Sequence, residues 1–256
     1  MDLELADSAV AVTGGSRGIG RAAAEAFADE GADVAICARD RADLEETARD
    51  VEAWHDVRCE AVPADLTDPD EARAFVETAA DRLGGLDVLV NNAGSAPHGT
   101  LASLSERDWR EALDLKFMGA VRCTRAALPH LEADGGRVVN VVGRAGVDPS
   151  PATLASGAAN AAELNLTAAL AEQYGPRGVR VNAVNPGPVA TDRLTEIVAS
   201  VADDLGVAER EAREIVADTT AMGRVATPEE VASVVVFLAS PAASFVNGAT
   251  VAVDGG

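Results

Sequence analysis

"SAVAVTGGSRGIG", Ser8 to Gly20, is an apolar run that stops on two glycines and restarts as a helix. A short apolar run bounded by glycine reads as a buried strand. Gly18 to Glu30 then follows a helical pattern. Glycines at 14, 18 and 20 permit a tight turn and let a pyrophosphate approach the backbone at a helix N-terminus, where unpaired N–H groups attract anions. Taken alone, the same glycines also suit an ordinary strand–helix loop. The rest of the chain has to decide between the two.

Outward from this turn, strand and helix patterns alternate with no linker or repeat. "ADVAICAR" (32–39) is a second strand, followed by a charged helix from Arg41. "VRCEAVPAD" (57–65) is a third strand. Asp68, Pro69 and Glu71 occupy the N-cap, first and third positions of the next helix. "LDVLVNNAG" (86–94) is a fourth strand. Ser105 and Asp108 start a long helix expected to run to about Leu131. "GRVVNVVG" (136–143) is a fifth strand, and Ala155 to Tyr174 is an Ala- and Leu-rich helix. "VRVNAVNPG" (179–187) is a sixth strand. Residues 191–223 are acidic and helical, Thr227, Pro228 and Glu230 cap another helix, and "GATVAVDGG" (248–256) is a terminal strand. Apolar strands separated by helices mean βαβ units. The expected fold class is α/β: a Rossmann-type doubly wound parallel sheet of about seven strands, in a single domain over 1–256. Ligands bind such sheets beyond the carboxyl ends of the strands, where strand order reverses.

The 256 residues include 42 Asp plus Glu against 21 Lys plus Arg, a net charge of −21. That charge repels nucleic acid and anionic lipid, so neither is expected as a partner. No single acidic block dominates, so the excess belongs to the whole surface. Lys116 is the only lysine; the other 20 cations are arginine. An acidic, lysine-poor surface is similar to those of proteins from organisms that keep molar salt inside the cell. Salt screens self-repulsion there, with a Debye length of roughly 3 Å at 1 M. The chain is therefore expected to lose structure at low ionic strength. Cys37, Cys59 and Cys123 are scattered without metal-ligand spacing and read as buried reduced thiols, with no metal site. No apolar run is long enough to span a membrane. The acidic start "MDLELADS" lacks the basic region of a signal peptide, so a cytoplasmic location is expected.

The Gly-rich turn has the spacing TGxxxGxG. It is followed in order by "ADLTD" (64–68), "NNAG" (91–94), "PGPVAT" (186–191), "GRVATPEEVA" (223–232) and "VDGG" (253–256). Over its whole length the chain resembles the short-chain dehydrogenase/reductase family. The resemblance implies a nicotinamide dinucleotide as cofactor. By it, Gly14, Ser16, Arg17, Gly18, Ile19 and Gly20 cradle the phosphates, and Asp65 and Leu66 hold the adenine. Asn91, Asn92, Ala93 and Gly94 border the adenosine ribose, and Pro186, Gly187, Val189 and Thr191 hold the nicotinamide end. Where NAD-using relatives carry an acidic residue at the end of the second strand, this chain has Ala38 and then Arg39. With Arg17 in the loop, two guanidiniums suit a 2′-phosphate, so NADP(H) is expected over NAD(H). The alternative, less favoured in so acidic a chain, is that both arginines are solvated surface charges.

The family's catalytic positions are all changed. In the family a Tyr exchanges a proton with the substrate oxygen, and a Lys four residues on lowers its pKa and binds the nicotinamide ribose. A Ser thirteen residues upstream orients the carbonyl, and an Asn on the preceding long helix completes a proton relay. Tyr and Lys at i and i+4 share one helix face. Here "VVNVVGRAG" (138–146) puts Gly143 at the Ser position. "LASGAAN" (154–160) puts Ser156 at the Tyr position and Asn160 at the Lys position, and Leu166 and Thr167 confirm the register. "DLKFMG" (114–119) puts Lys116 at the Asn position. No displaced pair exists: the one tyrosine, Tyr174, sits at the far end of its helix, where it reads as a packing residue. A serine hydroxyl is a poorer acid than a phenol near neutral pH, and an uncharged Asn160 depresses no neighbour's pKa.

The expected protein therefore binds nucleotide and is weak or inactive in the family's proton transfer. One alternative is an enzyme of altered chemistry that uses Lys116 as acid/base; against it, a lone lysine can simply snorkel outward. Another is a non-catalytic subunit of a mixed tetramer with an active relative, since family members commonly form tetramers through two long helices; a homotetramer fits as well. An ordinary reductase that tolerates these losses is the remaining reading. His98, Arg144 and Asp148 are further pocket candidates. Residues 191–223 are expected to cover an unknown small-molecule substrate, with Leu194, Ile197, Val198, Val201 and Leu205 reading as core at helical spacing.

Overall fold

The computed structural model describes residues 3–95, 99–151 and 153–256, and of Asp134 the backbone alone. Its first strand shows how the sheet is covered. β1 (Ala9–Thr13) alternates faces: Val10 and Val12 enter one hydrophobic cluster, Ala9 and Ala11 the other. That period of two, apolar on both sides, is the signature of a strand buried between two helical layers. Around it lie β2 (Asp33–Cys37), β3 (Cys59–Ala61), β4 (Val88–Asn91), β5 (Arg137–Val141), β6 (Arg180–Pro186) and β7 (Thr250–Val253). They form one seven-stranded sheet in the order β3-β2-β1-β4-β5-β6-β7, every pair parallel. The expected Rossmann-type sheet is present, and strand order reverses between β1 and β4.

One cluster packs α1 (Gly18–Asp29), α2 (Arg41–Trp54) and α9 (Pro228–Ala239) onto the sheet. The other packs α3 (Pro69–Leu83), α5 (Gly119–Asp134) and α6 (Leu154–Tyr174). Helix starts fall where the caps predict. Asp68 accepts from the Asp70 and Glu71 N–H groups with Pro69 behind it, and Thr227 and Glu230 form a reciprocal capping box. Ser105 and Asp108 form another, opening α4 (Glu106–Ala112). The helix from Ser105 runs on to Asp134, past the expected Leu131, and carries within it a π-helical turn, Leu113–Met118, between α4 and α5 (Gly119–Asp134). The acidic segment 191–223 is also divided: α7 (Asp192–Leu205) ends at Gly206, φ +66°, and α8 (Glu209–Ala217) folds back on it. Cys37, Cys59 and Cys123 are free and buried. No helix among the described residues is long and apolar enough to cross a membrane.

Candidate active site

A cleft of about 1750 Å³ opens beyond the carboxyl ends of the central strands. Thr13 ties its rim together across the switch point. The Thr13 hydroxyl accepts from the Asn92 and Ala93 N–H groups at 2.8 and 3.0 Å, and Asn92 Nδ2 donates to Thr13 O and Gly14 O. Gly14 stands at φ +67°, and a Cβ there would lie 2.9 Å from Asn92 Nδ2. The N-terminus of α1 faces the cleft uncapped: no side chain bonds its first N–H groups and no acidic residue occupies its first turn. Those donors fit an anionic group of a nucleotide.

Gly14, Ser16, Arg17, Gly18, Ile19, Arg39, Leu66, Asn92, Ala93, Gly94, Pro186, Gly187, Val189 and Thr191 all line the cleft. Gly20, Asp65 and Asn91 are not among its lining residues. A Cβ on Gly20 would collide with Gly14 O and Asn92 Nδ2, so this glycine lets the turn close onto α1. Asn91 is buried, donating to Thr124 Oγ1 at 3.0 Å and Asn140 Oδ1 at 2.9 Å. Asp65 holds its own turn by accepting from the Thr67 N–H and hydroxyl; the Thr67 N–H, with help from the nearby Arg39 charge, keeps its carboxyl below the ordinary range. Arg17 is exposed and pairs with Asp192 at 3.3 Å, and Arg39 is exposed at the end of β2.

Lys116, Gly143, Ser156 and Asn160 also converge on the cleft. Gly143 has φ +130° and ψ 144°, a conformation reserved for glycine. A Cβ there would lie 3.0 Å from Asn160 Nδ2, which donates to Gly143 O at 3.2 Å. The loop is thus shaped for a residue without a side chain. Ser156 Oγ donates back to Thr153 O at 3.1 Å. Asn160 Oδ1 is buried and accepts no hydrogen bond.

Lys116 points inward from the π-helical turn, a feature often found at functional sites. Its stem runs against the Cα of Gly94, where a Cβ would lie 3.3 Å from Nζ. Nζ donates to Val141 O at 3.2 Å and lies 3.8 Å from Glu163 Oε2. Glu163 is 2 % exposed and Lys116 11 %. Burial pushes the Glu163 carboxyl up to about 7, with the Lys116 charge opposing the rise. The sequence reading passed over Glu163, although a signal for it existed. Ser156, Asn160, Glu163 and Thr167 follow one another by four, three and four residues, so they share one helix face. Glu163 is the one ionisable residue among them.

The other pocket candidates divide. Arg144 and Asp148 line the cleft and pair with each other at 2.9 Å, and Arg144 also reaches Thr219 O. His98 lies outside the described residues. In α7, Leu194 and Val198 are buried in a small core with Ala212 and Val216 of α8. Ile197 and Val201 line the cleft, and Leu205 is exposed. Tyr174 packs on the sheet's second cluster under the Arg177 guanidinium, away from the site.

A doubly wound parallel sheet with a glycine-cradled cleft at its switch point defines a Rossmann-type nucleotide-cleft protein. The chain belongs to the short-chain dehydrogenase/reductase family, and residues 14–256 match the family model described as enoyl-(acyl carrier protein) reductase. It is 40% identical to the cis-4-hydroxycyclohexanecarboxylate dehydrogenase of Sinomonas cyclohexanicum, over 98% of this chain and 96% of that one. It is 36% identical to the meso-2,3-butanediol dehydrogenase of Serratia marcescens, over 96% and 93%. The L-sorbose reductase of Gluconobacter frateurii, solved with NADPH and L-sorbose, superposes with a TM-score of 0.94 at 33% identity, covering 100% of this chain and 98% of that one.

Proposed function

We propose that the chain is an NADP(H)-binding protein of carbonyl reductase or alcohol dehydrogenase lineage that is weak or inactive in the proton transfer its family uses. The observation that carries this reading is how the two helix positions are used. Ser156 gives its hydroxyl to Thr153 O and Asn160 gives its amide to Gly143 O, so α6 presents neither a phenol nor an ammonium to the cleft. Losing a general acid costs ~10²–10⁴ in rate.

The residues present fit the nucleotide. The α1 N-terminus and the Gly14–Ile19 loop would hold its phosphates. Leu66, Asn92, Ala93 and Gly94 would border the adenosine, and Pro186, Gly187, Val189 and Thr191 the nicotinamide. Arg39, with Arg17 released from Asp192, would take a 2′-phosphate; the NADPH in L-sorbose reductase supports this preference over NAD(H). Bound there, the nucleotide supplies hydride chemistry. Ile197 and Val201 on the cleft wall support a substrate-covering role for 191–223. The outer face of α6 exposes Ala158, Ala161, Ala168 and Ala169, an uncharged strip that supports packing against another copy or an active relative as a tetramer. The net charge of −21 supports a salt-rich cytoplasmic setting.

Fluorescence titration with NADPH and NADH in molar KCl, followed by NADPH consumption over a panel of ketones and aldehydes, tests the reading. Tight NADPH binding is expected, with rates ~10²–10⁴ below those of a relative carrying Tyr and Lys. Full-rate turnover would overturn the loss of proton transfer, and absence of binding would overturn the nucleotide reading.

A further inference from the structure

Lys116 stands between a buried carboxyl and the cleft. Of the pair, Lys116 lines the cleft and Glu163 does not. At 3.8 Å the two are an ion pair without a hydrogen bond, and Glu163 Oε2 accepts none from any described group. An ammonium has three protons to donate; Val141 O takes one. Gly94 leaves the ammonium uncovered, since any side chain there would meet Nζ. A buried ion pair is a poor source of stability, and apolar replacements are often neutral or better. A pair kept beneath a ligand cleft therefore asks for a use.

We propose that Lys116 is a catalytic residue, the acid that protonates a substrate's carbonyl oxygen as its carbon is reduced, and that Glu163 is the positioning residue that holds the ammonium and returns its proton. This deepens the reading above and rests on its nucleotide binding. The carbonyl carbon takes hydride, with its electron pair, from the reduced nicotinamide nucleotide, which is left oxidised. The π pair of the C=O bond moves to oxygen, an N–H bond of Lys116 breaks and an O–H bond forms. The Glu163 proton then passes to the neutral amine, leaving an ammonium beside a carboxylate. After the alcohol leaves, water in the cleft resupplies the proton through the amine. Other titratable groups nearby are already committed: Asp114 on the π-helical turn is tied to Arg122 at 2.6 Å, and on α5 the buried Cys123 thiol is pushed up to about 12. Among the described residues, Lys116 is the charged group that shifts the Glu163 carboxyl.

The probe is biacetyl, an activated diketone, with NADPH in molar KCl across pH 5–9. The single lysine also makes [¹⁵N]lysine labelling site-specific, so the Lys116 signal can be titrated without any nucleotide. Expected is NADPH consumption that falls as pH rises through about 7, where Glu163 loses its proton. Lys116→Arg keeps the charge but cannot give up a proton; it should lose ~10²-fold or more in rate while still binding NADPH. Glu163→Gln should remove the limb near neutrality and the matching step in the lysine signal. Three results overturn the proposal: Lys116→Arg with an undiminished rate, a wild-type chain that binds NADPH and consumes none, or a neutral step that persists in Glu163→Gln. Failure to bind NADPH is a different result, and it overturns the nucleotide reading together with this one.

Discussion

Glu163 should make the fold less stable as pH rises through neutrality. Its carboxyl has an ordinary value of 4.5 and is raised to about 7 in the fold, first by burial, with Lys116 pulling it back only in part. The native state thus binds the proton more tightly than the unfolded chain does. The resulting stability is fully present below the unfolded value and is lost as pH climbs through the folded one. At 1.36 kcal/mol per unit, the interval amounts to ~3 kcal/mol between pH 4.5 and pH 7. For a chain of this length that is roughly 6–12 °C in Tm. The assay is thermal unfolding by circular dichroism in molar KCl from pH 5 to 8, with wild type beside Glu163→Gln. Repulsion among the many surface carboxylates also changes with pH, but it is common to both chains, so the difference between the curves isolates Glu163. The wild type should lose the extra stability toward pH 8, and the variant should not. Lys116→Met, which removes the group that lowers the Glu163 pKa, should move the loss to higher pH. Parallel wild-type and Glu163→Gln curves would show that the carboxyl titrates as if in water, and would refute the burial argument.

Three further outcomes are expected. In dilute buffer the chain should melt lower than in molar KCl, because a net charge of −21 is then unscreened; equal Tm values would contradict this. Arg39→Ala should weaken NADPH about tenfold or more and leave NADH nearly unchanged, as expected for losing a charge-assisted phosphate contact; equal effects on both nucleotides in a fluorescence titration would remove Arg39 from the 2′-phosphate. Gly143→Ser should cost ~1–3 kcal/mol in urea unfolding without raising turnover, because φ +130° is strained for any side chain and Cβ would press on Asn160; a stable, faster Gly143→Ser variant would contradict a loop shaped for glycine.

Strand positions, helix starts and the place of the cleft were legible because each rests on local chemistry. Alternation in "SAVAV", the Asp68–Pro69 and Thr227–Glu230 caps and the Gly14–Gly20 turn leave marks in consecutive residues. What was not legible depends on partners far along the chain or on a single residue of geometry. The π-helical turn at Leu113–Met118 adds one residue to a helix whose apolar pattern reads as unbroken. The break at Gly206 hides in an acidic run where α7 and α8 close a core only against each other. Gly143 was readable as a missing hydroxyl, but not as a backbone at φ +130° that bars one. Glu163 sits in an Ala- and Leu-rich helix, and its importance appears only when Lys116 is brought over from 47 positions upstream.

The substitutions at the site are coupled, and burial is the reason. By resemblance the family carries its cation on the helix that here is α6 and its amide on the helix before it. This chain holds Asn160 on α6 and Lys116 on the π-helical turn, so the two groups have traded places. A lysine on that turn is 11 % exposed, and an unpaired buried charge costs several kcal/mol. Val141 O supplies a hydrogen bond but no charge; Glu163 supplies the opposite charge once its carboxyl loses its proton, as pH rises through about 7. Glu163 lies on the inward face of α6, one turn beyond Asn160 and 3.8 Å from Lys116 Nζ. The site thus holds a buried lysine and a buried carboxyl side by side beneath the cleft.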